Sequence, residues 1–227
     1  MRAFSEIRAR AEARKGREAI EARLAEYLGK PDGAVIGDDR LLASMAKYIF
    51  SSGISWTVVE KKWPGIEEAF LGFDPGLLNI QPEEFWHELL GDARIIRHGA
   101  KVNAIRENAA FVSGLAREHG SAVRFLLDWP STDLVGLYDL LAKRGDRLGG
   151  STGQYVLRSI GKDNFIISRD VVACLKEAGV AISRDGSGKA ERKAIQAAFN
   201  QWAEETGLPM SHLSVIAAQS IDGEQAE

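Results

Sequence analysis

Cysteine is almost absent from this chain: Cys174 is the only one in 227 residues. A single cysteine excludes an internal disulfide and fits a reducing, cytoplasmic compartment. Histidine is also scarce, with four scattered copies, so no structural zinc site and no metal are expected. No apolar run approaches the roughly 18 residues of a membrane span. The opening stretch MRAFSEIRARAEARKGREAIEARLAEYLG has no apolar signal-peptide core, so an intracellular protein without a membrane partner is expected. Excess charge of one sign is missing too. A net charge of −3 rules out a global positive field, and contact with a polyanion must then use a local basic patch.

What is present is ordinary for a globular chain: 45% apolar and 27% charged residues. The length fits one large domain or two lobes sharing a cleft. Helical spacing dominates. Ile7, Ala11, Ile20, Leu24 and Leu28 predict one helix over 4–28, stopped by Gly29 and Pro31. Asp38 or Asp39 is expected to cap a second helix ending near Gly53. Trp63, Pro64 and Gly65 read as a turn, with a short helix over 67–71. Pro75 and Pro82 each open a short helix. A long helix over 98–118 stops at Gly120. Ser131, Thr132 and Asp133 cap a helix over 134–143, and Gly145 stops it. Further helices are expected up to Gly161, over 171–178 behind a Ser168 cap, over 189–206 and over 210–218. The tail IDGEQAE is acidic and expected to fray. No strand pair and no internal repeat is visible, so the fold class is all-α with short connections.

The segment LGGSTG, residues 148–153, lies between two of these helices. It reads in two ways. It is a helix stop followed by a new N-terminus, where glycine tolerates positive φ. Or it is a hairpin whose backbone N–H groups approach a phosphate closely. Lys143, Arg144, Arg147, Arg158 and Lys162 concentrate positive charge around it, which favours contact with a DNA backbone. A second segment, SSGISWTVVEKKW over 51–63, places Trp56 just past a Gly-Ile-Ser turn. Such a tryptophan is either core packing or a stacking plate for a flat ligand.

Gly53-Ile54-Ser55-Trp56, Phe73-Asp74-Pro75, Ile96-Arg97-His98 with Lys101, Asn108-Ala109, and the 134–156 stretch with Gly150, Thr152 and Tyr155 stand in one order. This set resembles the DNA-3-methyladenine glycosylase I family, a branch of the helix-hairpin-helix DNA glycosylases, and covers about residues 38–179. The resemblance implies an all-α, helix-hairpin-helix glycosylase-like fold with two helical lobes flanking a base-binding cleft. It also implies base excision repair of double-stranded DNA: an alkylated purine is flipped out and its N-glycosidic bond hydrolysed. Trp56 falls at the family's pocket tryptophan, with Tyr48 and Phe50 as further pocket candidates. Lys143, Arg144, Arg147, Gly149, Gly150, Thr152 and Gly153 are the expected DNA contacts. N3-alkylated adenine is cationic, so an electron-rich ring attracts it and the base leaves readily. No cofactor is expected, and the protein is expected to be a monomer.

Departures from the family pattern bear on the chemistry. Tyr48 stands where the family carries a pocket glutamate, and a phenol is uncharged at pH 7. The family's aromatic N-terminal stretch is missing. Its zinc-binding histidine and cysteine after the hairpin become Asp170 and Cys174. Related glycosylases keep a catalytic aspartate at the position of Ser168. Asp170, two residues on and about 200° around a helix, is the candidate catalytic carboxylate. Its alternative is a first-turn acid favourable to the helix dipole. The expected division is an N-terminal helical extension over 1–37, a glycosylase-like core over 38–180 with its hairpin at 143–161, and C-terminal helices over 181–227. An active glycosylase competes with a DNA-binding module that kept the hairpin and lost the chemistry. A helical interaction scaffold explains neither the glycine turn nor its basic flanks.

Overall fold

A computed structural model describes residues 1–28 and 36–221. The expected stop at Gly29 and Pro31 and the frayed end of the tail lie outside the described residues. Among the described residues there are helices and no strand, so the chain is all-α. The chain divides into two compact units. One comprises Met1–Asp32, Pro130–Leu137 and Asp163–Glu227, and the other Gly33–Trp129 and Tyr138–Lys162.

The first unit contains α1 (Phe4–Lys15), α2 (Arg17–Leu28), α11 (Arg169–Glu177), α12 (Lys189–Thr206) and α13 (Met210–Gln219). Its middle is α13, which packs against the other four and is buried from Met210 to Ala217. The Asp163 carboxylate accepts from the N–H groups of Met210 and Ser211 at 3.0 and 2.8 Å. It thereby supplies partners for two donors that a helix N-terminus leaves unsatisfied. Trp202 is wholly buried against Phe4 and Phe199. The single helix expected over 4–28 is two. Gly16 takes φ 82°, a conformation open to glycine, and α1 ends there. His212 lies in this core, not at the surface, and burial lowers its affinity for a proton.

The second unit contains α3 (Asp38–Ser51), α4 (Trp56–Ala69), α5 (Pro75–Asn79), α6 (Glu83–Leu89), α7 (Gly99–His119), α8 (Ala122–Asp128) and α10 (Gly150–Ser159). Helix α9 (Leu134–Arg144) precedes the hairpin. Apolar positions Leu41, Leu42, Met45, Ile49 and Phe50 bury α3 against α4, α7, α8 and α10. Phe70 joins Phe50, Phe73 and Trp86 in an aromatic cluster, and Phe73 stacks on Trp63 at 5.4 Å.

Local rules fail at three places in this unit. Pro64 lies inside α4 and makes no turn. The proline removes one backbone donor, but Val59 and Ile66 on either side are fully buried, and that burial holds the helix through it. Asp38 does not cap α3, whose cap position is Gly37. Its carboxylate accepts instead from Ser121 Oγ and from the N–H groups of Ala122 and Val123, at 2.9 to 3.2 Å. Those bonds open α8, a helix that periodicity did not indicate because it spans only two turns.

Candidate functional site

The end of α3, the start of α4 and the first turns of α10 line a shallow, open cavity of about 460 Å³. Tyr48, Ser51, Ser52, Trp56, Ser151, Thr152 and Tyr155 line it. Trp56 and Tyr155 are large rings left 40% and 41% exposed. The Tyr48 ring lies between them. It is tilted by 47° to Trp56 at 5.5 Å and nearly parallel to Tyr155 at 6.0 Å. The remaining lining groups are serine and threonine, each of which both donates and accepts hydrogen bonds. A flat heterocycle is thus offered ring faces and hydroxyls, and among the described residues no carboxylate lines the space.

Packing from α7 holds the floor in place. Lys101 is 4% exposed, and its ammonium donates to the carbonyls of Phe50 at 2.9 Å and Ser52 at 2.6 Å. Those carbonyls lie at the end of α3, where a helix has no internal donors left for them. Burial, aided by the positive charge of Arg147, pushes the Lys101 ammonium below the usual lysine range. Gly53, at φ 74°, then turns the chain so that Trp56 opens α4 beside Tyr48.

The hairpin itself is tight. Asn108 of α7 is fully buried, and its side chain bonds both backbone polar groups of Asp146. Leu148 is buried, and a Cβ at Gly153 would collide with its carbonyl oxygen, so only glycine fits there. Gly150 takes φ 59° and opens α10. Arg147 takes φ 57°, a region where a non-glycine residue is strained.

The structure brings together only part of the expected site. Tyr48 and Trp56 share the cavity with Thr152. Phe50 does not: its side chain is 0% exposed and packs edge-on to Phe70. Two residues along a helix is about 200° of rotation, so Tyr48 and Phe50 face opposite ways. Lys143, Arg147, Gly149 and Gly150 are exposed on the hairpin, and Gly153 is buried within it. Arg144 is engaged elsewhere, in a two-pronged pair with Glu118 at 2.7 and 2.9 Å and over the Phe111 ring. Lys162 is buried and donates to the carbonyls of Leu127 and Trp129. The basic cluster on the hairpin is therefore smaller than the sequence indicates. Ser51, Ser52, Ser151 and Tyr155 were missed as lining residues. The signal was there: Ser51 and Ser52 lie three and four positions after Tyr48, and Tyr155 three after Thr152, spacings that share a helix face.

Asp170 belongs to the other unit, in the first turn of α11 behind Ser168, whose side chain accepts from the Val171 N–H at 3.2 Å. A carboxylate there favours the helix dipole. Cys174, one turn on, is buried beside Ser220 Oγ, and burial pushes its thiol up. A protonated, buried thiol is a poor zinc ligand. Among the described residues no group of three or more His, Cys, Asp or Glu is placed to share a metal ion. The residues present do not fit the zinc site of the family that the sequence resembles. No helix among the described residues is long and apolar enough to cross a membrane.

A family model for methyladenine glycosylase matches residues 23–135. A crystal structure of 3-methyladenine DNA glycosylase I is similar over 56% of this chain and 78% of its own, with 25% sequence identity and a TM-score of 0.44. The family match begins ahead of Asp38, includes Tyr48 and Trp56, and ends before the hairpin.

Proposed function

The chain belongs to the methyladenine glycosylase family, and from that premise we propose that it is a DNA glycosylase of base excision repair. Its substrate is duplex DNA carrying an alkylated, 3-methyladenine-like purine. The base is flipped into the cavity lined by Tyr48, Trp56 and Tyr155, and its N-glycosidic bond is hydrolysed. The observation that carries the reading is the pair of half-exposed rings, Trp56 and Tyr155, flanking Tyr48 in a cavity edged by the hairpin helix. A protein core does not leave such rings open, whereas a flipped base is read by stacking and by its hydrogen-bonding edge.

The chemistry then falls mainly on the substrate. Alkylation at N3 makes the base a cationic leaving group, so the bond breaks with departure of a neutral base. The protein stacks the base and offers hydroxyls to its edge. Asp170, two residues past the position where related glycosylases keep their catalytic aspartate, remains the sequence's candidate for positioning the attacking water. Gly149, Gly150 and the neighbouring hairpin backbone, with Lys143 and Arg147, hold the DNA phosphates.

One observation favours a second reading, a DNA-binding module without chemistry: no carboxylate lines the cavity among the described residues. Release of free base from methylated duplex DNA separates the two. The wild type is expected to release 3-methyladenine, and Trp56→Ala to slow that release by at least about tenfold, since stacking is worth roughly 1–3 kcal/mol per base. A wild type that releases no methylated purine leaves the binding module. The Asp170→Asn arm decides the carboxylate: a comparable fall with unchanged helix content keeps it in the mechanism, and unchanged release removes it.

A further inference from the structure

Trp56 already has a cation on it. The ammonium of Lys47, on α3, stands 5.0 Å from the centre of the Trp56 ring and 5.4 Å from that of Trp63. Glu60, one turn into α4, lies 3.6 Å from the same ammonium. Lys47 is therefore held in a three-sided cage of two indoles and a carboxylate, and the cage shares its Trp56 wall with the cavity.

This placement bears on what the cavity selects. An indole attracts a cation through the negative charge on its ring faces, and that attraction is the simplest way for a pocket to prefer a cationic base. With an ammonium already over the ring, a second cation stacked on Trp56 meets its repulsion. No lining residue offsets this, because Tyr48, Ser51, Ser52, Ser151, Thr152 and Tyr155 are all uncharged side chains. Glu60 forms an ion pair with Lys47 from outside the lining, so it weakens the repulsion without turning the cavity negative.

We propose that Lys47 is a specificity-determining residue that makes the base cavity indifferent to charge, so that it binds uncharged purines of the right shape as well as cationic ones. The inference rests on the cavity being the base pocket. It divides the labour of recognition: stacking and hydroxyls read the shape of the base, and its positive charge acts only when the glycosidic bond breaks. Uncharged damaged purines are then bound competently and cleaved slowly.

The test uses the whole protein and two probes of one shape: a purine methylated at both N3 and N9, which is a fixed cation, and its uncharged isostere with carbon in place of N3. Calorimetric titration measures the dissociation constant of each. The wild type is expected to bind the two within about threefold of each other, and Lys47→Met to tighten the cation by about fivefold while leaving the isostere unchanged, the range of one cation–ring contact. Lys47→Gln should act in the same direction, and Glu60→Gln, which frees the ammonium's full field, should weaken the cation alone. A wild type that prefers the cation by about tenfold or more, or a ratio that Lys47→Met and Lys47→Gln leave unmoved, overturns the inference. So does failure of both probes to bind while base release is intact. The expected binding pattern without any base release would instead remove the glycosylase reading and keep the role of Lys47.

Discussion

The Asn108 side chain holds both backbone polar groups of Asp146: Nδ2 donates to the carbonyl at 2.9 Å, and Oδ1 accepts from the N–H at 3.0 Å. One buried amide on α7 thus fixes the connection from which the hairpin turns into α10. Replacing it with alanine strips partners from a donor and an acceptor together, and each such loss costs about 1–3 kcal/mol when the group stays out of water. Asn108→Ala is expected to lower unfolding stability by about 2 kcal/mol or more and to weaken duplex DNA binding. Asn108→Asp keeps the acceptor but sets a buried carboxylate oxygen against the Asp146 carbonyl, so it should destabilise at least as much as alanine. Chemical denaturation with a parallel DNA-binding titration checks the order; equal stability of all three proteins would contradict it.

The hairpin cations should separate by partner. Arg144 is paired with Glu118, whereas Lys143 and Arg147 are exposed. Removing a phosphate-contacting cation lowers the slope of log affinity against log salt by about one. Lys143→Ala and Arg147→Gly are expected to show that drop, and Arg144→Ala is expected to leave the slope nearly unchanged. Arg147→Gly carries a second signature. The native φ of 57° is strained for arginine and free for glycine, so the variant should bind DNA less well yet melt no lower than wild type. A lower melting temperature for this variant would remove the strain argument.

Tyr155 should behave as a second plate. Its ring is 6.0 Å from Tyr48 and nearly parallel to it, in the same cavity as Trp56. Tyr155→Ala is expected to slow release of methylated base by about tenfold, as for Trp56→Ala, with little change in affinity for undamaged DNA. Tyr155→Phe should retain most of the rate, because stacking needs the ring and not the hydroxyl. Full activity of Tyr155→Ala would return this residue to the surface.

Lys101 should control the shape of the pocket from outside it. Its ammonium is the partner of the Phe50 and Ser52 carbonyls. Lys101→Met keeps the apolar stem and leaves those carbonyls short of donors, at an expected cost of about 1–3 kcal/mol. The base-release assay should show a raised KM, since Ser52 lines the cavity and Gly53 sets the entry to Trp56. An unchanged KM with lowered stability would make Lys101 a core residue alone.

Cys174 gives a pH signature of the folded state. Burial raises its thiol above the ordinary value, so the folded chain keeps a proton that the unfolded chain loses as pH rises past the unfolded thiol's value. The contribution is fully present below that value and is lost above it, up to the folded thiol's own value. Cys174→Ala should remove this share of the alkaline fall in stability, at most about 1.4 kcal/mol per pH unit for one proton. A thiol reagent should react slowly with the native protein and fast in denaturant. Rapid native reaction would contradict the burial.

Several features were legible because their causes are local. Periodic apolar residues announced the long helices, and glycines at 53, 120, 150 and 161 announced positive-φ turns that the backbone adopts. The run of motifs through Trp56 was enough to name the family that the match over 23–135 supports. Other features depend on partners distant in sequence. Asp38 looks like a local cap, yet its carboxylate closes the start of α8, because folding brings unsatisfied N–H groups to it. Pro64 looks like a turn, yet buried neighbours carry the helix through it. Arg144 and Lys162 count toward a basic patch in the sequence, and in the fold each spends its charge on a partner. Composition and spacing set which groups can form a helix or bear a charge. Which ring stays open, which cation stays free and where Lys47 rests its ammonium follow from packing, since burial forces each polar group to take whatever partner the tertiary structure sets beside it.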